Sequence, residues 1–432
     1  MYRVQNPAIR FGLTGLGGYA AYACDRLVSE SIASGSSAQL VAVSEPELER
    51  FPRRREDLRA KGITVVRDFT ELLDLPIDAV WLPLPIDLHL GFTATALSAG
   101  KAVLCEKPAA GCVDDVDRMM AARDHAALPV AIGFQDVYQP MVAILKNRLL
   151  SGEFGKAISA RIIGCWPRSE RYFGRNAWAG RLRRDGRWVM DSPASNALAH
   201  FLHLTLFLLG PTRQESAQAT AVAAELYRAN RIENYDTCSM RFTVADNVPV
   251  HVAYTHACAT SVDPLIVIDT ERAQIRYLAG RQIEIRISGE TELLRLSSNP
   301  YKFMFSAFQS WFHQGPDAAL GATLEMARAH VVAVNAASEG APVVTVPPSH
   351  IEIIPAPDQT PLRAIRDIVS ALNTCTTEQC LLNQTGRVPW SYPSVSKGIN
   401  GYAHFAGPAA PQPPGMVEAK TFVTNVPTAV KT

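Results

Sequence analysis

The chain has 432 residues, of which 47% are hydrophobic, and its 42 basic and 41 acidic side chains leave a formal net charge of +1. At about 150 residues per domain, this length suggests two or three domains with a sizeable core. The balanced charge excludes a bulk electrostatic attraction to nucleic acid or to an acidic membrane.

Neither a membrane span nor a secretory leader is predicted. The longest nearly apolar run, 197–209, is shorter than the roughly 18 residues of a spanning helix, and Met1–Pro7 contains no apolar stretch. The eight cysteines include no CxxC pair, which favours reduced thiols over a disulfide frame or a zinc site. We therefore expect a cytoplasmic protein without a bound metal and without nucleic-acid or membrane partners.

The first 135 residues alternate short apolar runs with helical patterns. The runs lie at 9–13, 39–43, 63–66, 79–82, 102–105 and 130–132, and helical stretches such as 20–29 and 114–127 separate them. Strict alternation predicts a doubly wound parallel sheet, and therefore an α/β domain over residues 1–138.

After Pro140 the pattern changes. A helix is predicted at 141–151, followed by strand-like segments at 157–165, 236–244, 248–256 and 264–287 and by helical stretches at 196–209 and 322–337. The period of two in 236–244 predicts an antiparallel sheet with one covered face. We therefore expect an α+β substrate and oligomerisation domain over 139–350, with a large, mostly antiparallel sheet. Its open face favours a homodimer or homotetramer.

Residues 351–432 are rich in Pro, Ser and Gly and contain one helical pattern, at 362–372. We expect this Pro-rich extension to lie extended on the surface or to tether a neighbouring subunit.

A glycine-rich turn follows the first strand and opens the first helix, in the order Gly15, Gly17, Gly18, Tyr19 and Ala20. Gly15 permits a tight turn, Gly17 permits the close approach of a pyrophosphate, and the small Ala20 lets the helix pack near the strand. The pattern predicts a Rossmann-type dinucleotide site. The alternative is a glycine-rich turn without a ligand.

Glu45 ends the second strand, where a carboxylate accepts hydrogen bonds from ribose hydroxyls and repels a 2′-phosphate. This favours NAD as the cofactor, whereas Arg53, Arg54 and Arg55 nearby keep NADP open. The alternative for Glu45 is a solvated loop residue.

The fifth apolar run ends in Gly100-Lys-Ala-Val-Leu-Cys-Glu106-Lys107-Pro108, and with this motif the chain resembles the Gfo/Idh/MocA oxidoreductases. Further matches over residues 8–347 are Leu82-Pro-Leu-Pro85-Ile-Asp-Leu-His89, Gly133-Phe134, Ser151-Gly-Glu-Phe-Gly155 and Asn196-Ala-Leu-Ala-His200. The resemblance implies that Pro85, His89, Glu106 and Lys107 contribute to the cofactor site, and that the Lys107–Pro108 bond is cis.

The chain departs from the family pattern near the expected acid–base groups. Asn196 replaces the family's aspartate, His203 replaces an acidic residue, and Gln135-Asp136-Val137 replaces Asn-Arg-Arg. Leu84 and Ile86 replace polar residues near the nicotinamide ribose. We expect Asn196→Asp to be tolerated, because it restores the family pattern.

Lys107, His200 and Asn196 are the predicted catalytic residues. A desolvated lysine beside the nicotinamide can exchange a proton with a substrate hydroxyl while hydride leaves the same carbon. Asn196 and His200 are spaced by four and would share a helical face, so that a histidine could relay the proton and an asparagine could orient the hydroxyl. The alternative for Lys107 is a structural lysine paired with Glu106. The alternative for Asn196 and the histidines is that their polar groups are hydrogen-bonded within a core helix, and we favour this alternative for His203.

Seven arginines lie between Trp166 and Trp188, interleaved with aromatic residues. Guanidinium groups and rings suit an anionic sugar, and we assign Arg175 and Trp178 to substrate binding, with Asp191 as a further candidate. The alternative is a solvated loop with interface salt bridges.

The combined reading is an NAD(P)-dependent oxidoreductase that transfers hydride between nicotinamide and a hydroxyl or keto carbon of a sugar, polyol or sugar derivative. Two alternatives stay open on the same fold: a non-catalytic NAD(P)-binding regulator, and a glycosidase that uses bound NAD.

Overall fold

The apolar runs of the N-terminal third form a six-stranded parallel sheet in the computed structural model, which describes residues 6–315, 318 and 321–410. Its strands are β1 (Ile9–Thr14), β2 (Ala38–Ser44), β3 (Thr64–Val66), β4 (Ala79–Leu82), β5 (Ala102–Cys105) and β6 (Val130–Ile132). The order β3-β2-β1-β4-β5-β6 reverses direction between β1 and β4. Ligands of doubly wound sheets bind at the carboxyl ends of the strands at such a switch point.

Helices connect these strands: α1 (Gly18–Ser31), α2 (Pro52–Ala60), α3 (Phe69–Leu73), α4 (His89–Ser98) and α5 (Val113–Ala126). A helix from much later in the chain, α9 (Pro300–Gln314), also packs on this sheet. Its Phe308 ring lies 5.4 Å from Phe11 of β1, and its Phe305 ring lies 5.5 Å from Trp81 of β4. The two halves of the chain therefore share one hydrophobic core beside the switch point.

The second sheet has ten strands and is mostly antiparallel, with parallel pairs only at β7–β12 and β10–β17 among the described residues. Its strands are β7 (Ala157–Cys165), β10 (Ala221–Arg228), β11 (Thr237–Thr243), β12 (Pro249–Thr255), β13 (Val262–Thr270), β14 (Ala273–Leu278), β15 (Gln282–Ile287), β16 (Glu290–Arg295), β17 (Val343–Thr345) and β20 (Lys397–Gly398). The α/β plus α+β architecture predicted from the sequence is confirmed.

Helices α8 (Ala199–Leu209) and α10 (Leu324–Gly340) cover the inner face of the second sheet, and α6 (Pro140–Leu150) connects the two sheets. Residues 264–287, predicted as one long strand-like segment, belong to three strands. A tight turn at Glu271-Arg272 separates β13 from β14, and Gly280, with a φ of +65°, lies in the turn that separates β14 from β15.

The C-terminal segment is more ordered than the sequence suggested. The predicted helix at 362–372 is wrong: β19 (Pro361–Ile365) pairs with β18 (Ile351–Pro355), and the helix α11 (Ile368–Glu378) starts later. Asp367, with a φ of +56°, separates strand from helix. The local 3.6-residue pattern was overridden by a hairpin that no local signal announces.

This segment covers part of the outer face of the second sheet. Its Trp390 and Tyr392 rings pack against Tyr227 of β10 at 4.8 and 5.3 Å, and α11 packs on β7 and β12. Residues 1–5, used for the leader prediction, and residues 411–432 of the predicted extension lie outside the described residues. Within the described part of the chain, no helix is both long enough and apolar enough to span a bilayer.

Candidate active site

The glycine turn between β1 and α1 has the backbone shape that a dinucleotide site requires. Gly15 has a φ of +88°, and a Cβ built on it would lie 3.0 Å from the Cβ of Ala20. Gly18 has a φ of +54° and open space where a side chain would stand. Gly17 precedes the first turn of α1 without a side-chain cap, so the helix N–H groups are available to an anion.

Glu45 is fixed at the end of β2 beside this turn. Its Oε2 accepts a hydrogen bond from the Leu16 N–H at 2.8 Å, and its Oε1 accepts one from the Glu47 N–H at 2.9 Å. Two of the nearby arginines have partners of their own: Arg54 donates to Asp25 and Arg55 lies 3.8 Å from Glu49. The carboxylate therefore faces the glycine turn, whereas these two guanidinium groups are engaged elsewhere.

The loop after β4 is held by a buried histidine. Nδ1 of His89 lies 2.9 Å from the Pro108 carbonyl, and its Nε2 lies 2.9 Å from the Leu84 carbonyl. The ring has no exposed surface and joins the loop that contains Pro85 to the turn after β5. A contribution of His89 to the cofactor site, by holding these two loops, stays a prediction.

Glu106 ends β5 in a buried polar cluster. Its Oε1 accepts from the Trp81 indole at 3.1 Å, and a Cβ on Gly133 would lie 2.8 Å from the same oxygen. Burial raises the pKa of Glu106 to about 7, against the opposing effect of the Lys107 charge. The Tyr19 hydroxyl, 3.0 Å from the Tyr301 hydroxyl of α9, lies beside this carboxyl group.

Lys107 connects the two halves of the chain. Its Nζ donates to the backbone carbonyl of Asn196 at 2.8 Å and to Oδ1 of Asn196 at 2.9 Å. The Asn196 amide donates in turn to Oδ1 of Asp191 at 2.7 Å. Burial lowers the pKa of Lys107, and the positive charges of Arg175 and Arg168 act in the same direction. The Lys107–Pro108 bond is cis, as predicted.

Asn196 does not lie on the helix that contains His200. It belongs to a wide helical turn, Pro193–Ala197, which Ser192 caps by accepting from the Ser195 N–H. The helix α8 begins only at Ala199, so the expectation of one shared helical face is wrong. The serine cap and the proline at the first position favour the start of a helical turn at Pro193.

Asp191 was expected to bind substrate. It is 3% exposed, and its second carboxylate oxygen accepts from the Gly180 N–H at 2.6 Å. The carboxylate therefore orients Asn196 and the loop at Gly180. The contact also argues against the expected tolerance of Asn196→Asp, because the new carboxylate would face that of Asp191 across a hydrogen-bond distance.

His200 is paired with a residue that sequence reasoning noted only as a departure from the family pattern. Its Nδ1 lies 3.2 Å from Oδ2 of Asp136, and Oδ1 of Asp136 accepts from the Tyr277 hydroxyl at 2.9 Å. Burial lowers the pKa of His200, and the Lys107 charge contributes in the same direction while Asp136 opposes both. Nδ1 is buried, and its approach to Asp136 is not aligned as a hydrogen bond. His203 stacks on Phe134 at 3.8 Å in the core.

The arginine-rich loop runs beside Lys107. The Arg175 guanidinium lies 3.6 Å from the Tyr172 ring centroid and 5.2 Å from that of Trp178. Further along, the hairpin of β8 (Arg183–Arg184) and β9 (Arg187–Trp188) is anchored to the first domain by Arg184, 2.8 Å from the buried Asp87.

Sequence reasoning did not single out Asp136, Asp87, Arg168, Tyr172 or His256. Only Arg168 and Tyr172 carried a local signal, since both belong to the arginine-rich stretch. The others gain their role from contacts with residues far away in the chain.

The residues present fit a dinucleotide. The glycine turn is open at Gly18, the start of α1 is uncapped, and Glu45 stands at the ribose end of the turn. Among the described residues, no group of three His, Cys, Asp or Glu side chains could hold a metal ion.

Comparisons with known proteins agree with this geometry. Residues 9–134 match the model of the GFO_IDH_MocA family, an oxidoreductase family with an NAD-binding Rossmann fold. An inositol 2-dehydrogenase of Corynebacterium glutamicum is 28% identical over 159 residues, which are 36% of this chain and 45% of that protein. The chain thus covers less than half the length of this curated relative.

Two solved structures share the fold over most of the chain. The WlbA dehydrogenase of Bordetella pertussis, in complex with NADH and UDP-GlcNAcA, superposes with a TM-score of 0.62 at 20% identity and covers 77% of this chain and 98% of its own. An aldose-aldose oxidoreductase of Caulobacter crescentus, complexed with glycerol, has a TM-score of 0.64 at 18% identity, with coverages of 77% and 98%.

Proposed function

We propose that the chain, whose residues 9–134 match the Gfo/Idh/MocA family of NAD-binding oxidoreductases, transfers hydride between nicotinamide and a hydroxyl or keto carbon of a sugar, polyol or sugar derivative. The observation that carries the proposal is the hydrogen bonding of Lys107, at the end of β5, to Asn196 of the second domain. It places an amine with a lowered pKa where both domains meet.

Bound at the glycine turn, NAD would supply the hydride acceptor. Gly15, Gly17, Gly18, Tyr19 and Ala20 are assigned to the dinucleotide, with Glu45 on the adenosine ribose. Pro85, in the loop after β4, and Glu106, directly after β5, are assigned to the nicotinamide end of the cofactor, which they would help to hold.

Proton transfer is assigned to Lys107 and His200. Lys107 in its neutral form accepts the hydroxyl proton during oxidation and returns it during reduction. Asn196, whose amide is fixed by Asp191, holds the lysine in place. His200, whose Nδ1 lies 3.2 Å from Asp136, is assigned the role of a second proton acceptor. Lys107 and His200 thus keep the proton-transfer roles predicted from the sequence. The role proposed for Asn196 changes from orienting a substrate hydroxyl to holding Lys107.

The neighbours' ligands and names support a carbohydrate-like substrate. They comprise a UDP-linked sugar in one structure, glycerol in another, and inositol in the name of the curated relative. Arg175, Trp178 and the residues around Tyr172 are assigned to the binding of such a substrate.

Oligomerisation is assigned to the uncovered part of the outer sheet face. There Arg161 pairs with Asp269 and Arg276 pairs with Glu284 at 2.9 Å, so a homodimer or homotetramer would bury a mixed, charged surface. Light scattering across dilutions tests this assignment, and a mass of one chain at all concentrations removes it. The eight cysteines are free, which fits a cytoplasmic location.

Formation of NADH tests the proposed activity. The protein is mixed with NAD and a panel of sugars, polyols and their acids, and NADH absorbance is followed over many turnovers. Multiple turnovers with one panel member support the oxidoreductase. NAD that binds but is never reduced by any member favours the non-catalytic regulator, and NAD that stays bound while a glycosidic bond is cleaved favours the glycosidase.

A further inference from the structure

Two arginines beside the candidate active site lack an anionic partner. Arg168 and Arg175 form no ion pair with any described residue, whereas Arg181 and Arg184 of the same loop pair with Glu233 and Asp87. Arg175 is exposed and donates to the Tyr172 carbonyl, whereas Arg168 is partly removed from water. A guanidinium group that is partly desolvated and has no ion-pair partner is costly to maintain unless a ligand neutralises it. The state of Arg168 in the free protein therefore points to a ligand with negative charge.

The two guanidinium groups lie against one ring. The Arg175 guanidinium carbon is 3.6 Å and the Arg168 guanidinium carbon is 4.6 Å from the Tyr172 ring centroid. Arg168 also lies 5.8 Å from the Trp166 ring, and its backbone N–H donates to the His256 carbonyl at 3.0 Å. Both guanidinium groups thus lie over the Tyr172 ring, among the residues assigned to substrate binding.

Arg168 has an unmet hydrogen-bonding group. Its Nε is buried and has no partner among the described residues. The neighbouring His256 forms no ion pair with Arg168, because its ring is neutral. Burial, together with the charge of Arg168, lowers the pKa of His256 to about 3. Its Nδ1 lies 2.8 Å from the Trp166 carbonyl.

The carboxylates at this end of the cleft are already engaged. Asp191 is bound by the Gly180 N–H and the Asn196 amide, and Glu106 is bound by the Trp81 indole. Asp191 and Glu106 both act on Lys107, and raise its pKa. Arg175 also lowers the pKa of Asp191 by its charge, yet neither Arg175 nor Arg168 lies within ion-pair distance of a carboxylate among the described residues.

Resting on the proposed function, we propose that the substrate is an anionic carbohydrate whose carboxylate or phosphate ester binds Arg168 and Arg175 while its reacting carbon faces Lys107. Guanidinium forks bind both oxyanions with paired, charge-assisted hydrogen bonds. Arg168 and Arg175 then determine substrate class, and Lys107 keeps its catalytic role.

Calorimetry on the NADH-loaded full chain tests this proposal without relying on turnover. The probes are matched sets: D-glucose with D-glucuronate, D-gluconate and D-glucose 6-phosphate; D-xylose with D-xylonate; myo-inositol with its phosphate; and inorganic phosphate alone. We expect an anionic member to bind at least about tenfold more tightly than its neutral partner. A preference for acids identifies a carboxylate ligand, and a preference for phosphate esters identifies a phosphate ligand.

Variants locate the binding site. Arg168→Met and Arg175→Met should each weaken the anionic probe by about tenfold or more and leave NADH affinity unchanged. Arg168→Lys, which keeps the charge but loses the buried Nε–H, should recover only part of this affinity. Arg171→Met, an exposed arginine on the same loop, is the matched control and should bind as the wild type does.

The proposal is overturned if neutral and anionic members bind equally, if no anionic probe binds the wild type, or if both methionine variants bind like Arg171→Met. Failure of the proposed function gives a different result. A protein that binds anionic sugars through both arginines but never reduces NAD keeps the anion site and loses the oxidoreductase assignment. A protein that oxidises neutral and anionic sugars equally well keeps the oxidoreductase assignment and loses the anion site.

Discussion

The Lys107 ammonium donates hydrogen bonds to both the backbone carbonyl and the side-chain oxygen of Asn196, at 2.8 and 2.9 Å. Asn196 replaces an aspartate of the family pattern, yet a carboxylate is still present one step further on, at Asp191. The carboxylate therefore contacts Asn196, the hydrogen-bond partner of Lys107, and not Lys107 itself. An amide partner stabilises the ammonium less than a carboxylate would, which is consistent with the lowered pKa of Lys107.

Exchanging the amide and the carboxylate tests this arrangement. Asn196→Asp would set two carboxylates against each other, so one must hold a proton, and we expect kcat/KM to fall by about tenfold or more. The double variant Asp191→Asn with Asn196→Asp restores one amide and one carboxylate, and should recover most of the loss. Steady-state kinetics of the three proteins decide the matter, and full activity of the single variant would contradict the role of Asp191.

The pairing of His200 with Asp136 predicts a pH dependence. Burial holds the pKa of His200 below its usual 6.5, so the ring stays neutral and the acid limb that it causes in kcat/KM lies below that pH. Asp136 raises the pKa of His200, so Asp136→Asn should move this limb to still lower pH and lower the plateau. A pH–rate profile of both proteins checks this expectation. An acid limb that moves upward in Asp136→Asn would contradict it.

Glu45 should determine cofactor choice. Its carboxylate is fixed on the glycine turn by the Leu16 N–H, and would oppose a 2′-phosphate, so NAD should bind more tightly than NADP. Glu45→Gln removes the charge and should narrow the difference between the NAD and NADP affinities. It keeps only one of the two hydrogen bonds from the Leu16 and Glu47 N–H groups, because only the amide oxygen can accept. Calorimetry with both cofactors measures this difference in affinity. Tighter binding of NADP than of NAD to the wild type would show that the arginines of α2, rather than Glu45, determine the choice of cofactor.

The amount that could be predicted from the sequence differs between the two domains. The glycine turn, Glu106 and Lys107 lie within single strand–turn–helix units, so their positions follow from local pattern. The pairs His200–Asp136 and Arg184–Asp87 join residues from different domains, and no local pattern specifies such contacts. The hairpin of β18 and β19 was missed for a related reason, because its strands depend on pairing with each other.

Glu106 should make folding stability depend on pH. Burial raises its pKa from 4.5 to about 7, so the folded state holds a proton that the unfolded state has released, and stability falls as pH rises through this interval. Glu106→Gln removes the ionisation, and should be more stable than the wild type at about pH 8 by up to roughly 3 kcal/mol, less the cost of an altered contact with Trp81. Urea unfolding at about pH 5 and about pH 8 measures the difference. Identical pH slopes for the two proteins would show that Glu106 ionises normally.

The most direct test of hydride transfer at this site is a single-turnover measurement on Lys107→Met. Wild type and variant are loaded with NAD, their NAD affinities are compared, and NADH absorbance is followed after mixing with a substrate found in the panel. We predict equal NAD affinity and an NADH formation rate at least ~10²-fold lower in the variant, the usual scale for losing a proton-transfer group. Equal rates in the two proteins would contradict the assignment of Lys107 and, with it, the mechanism proposed for this site.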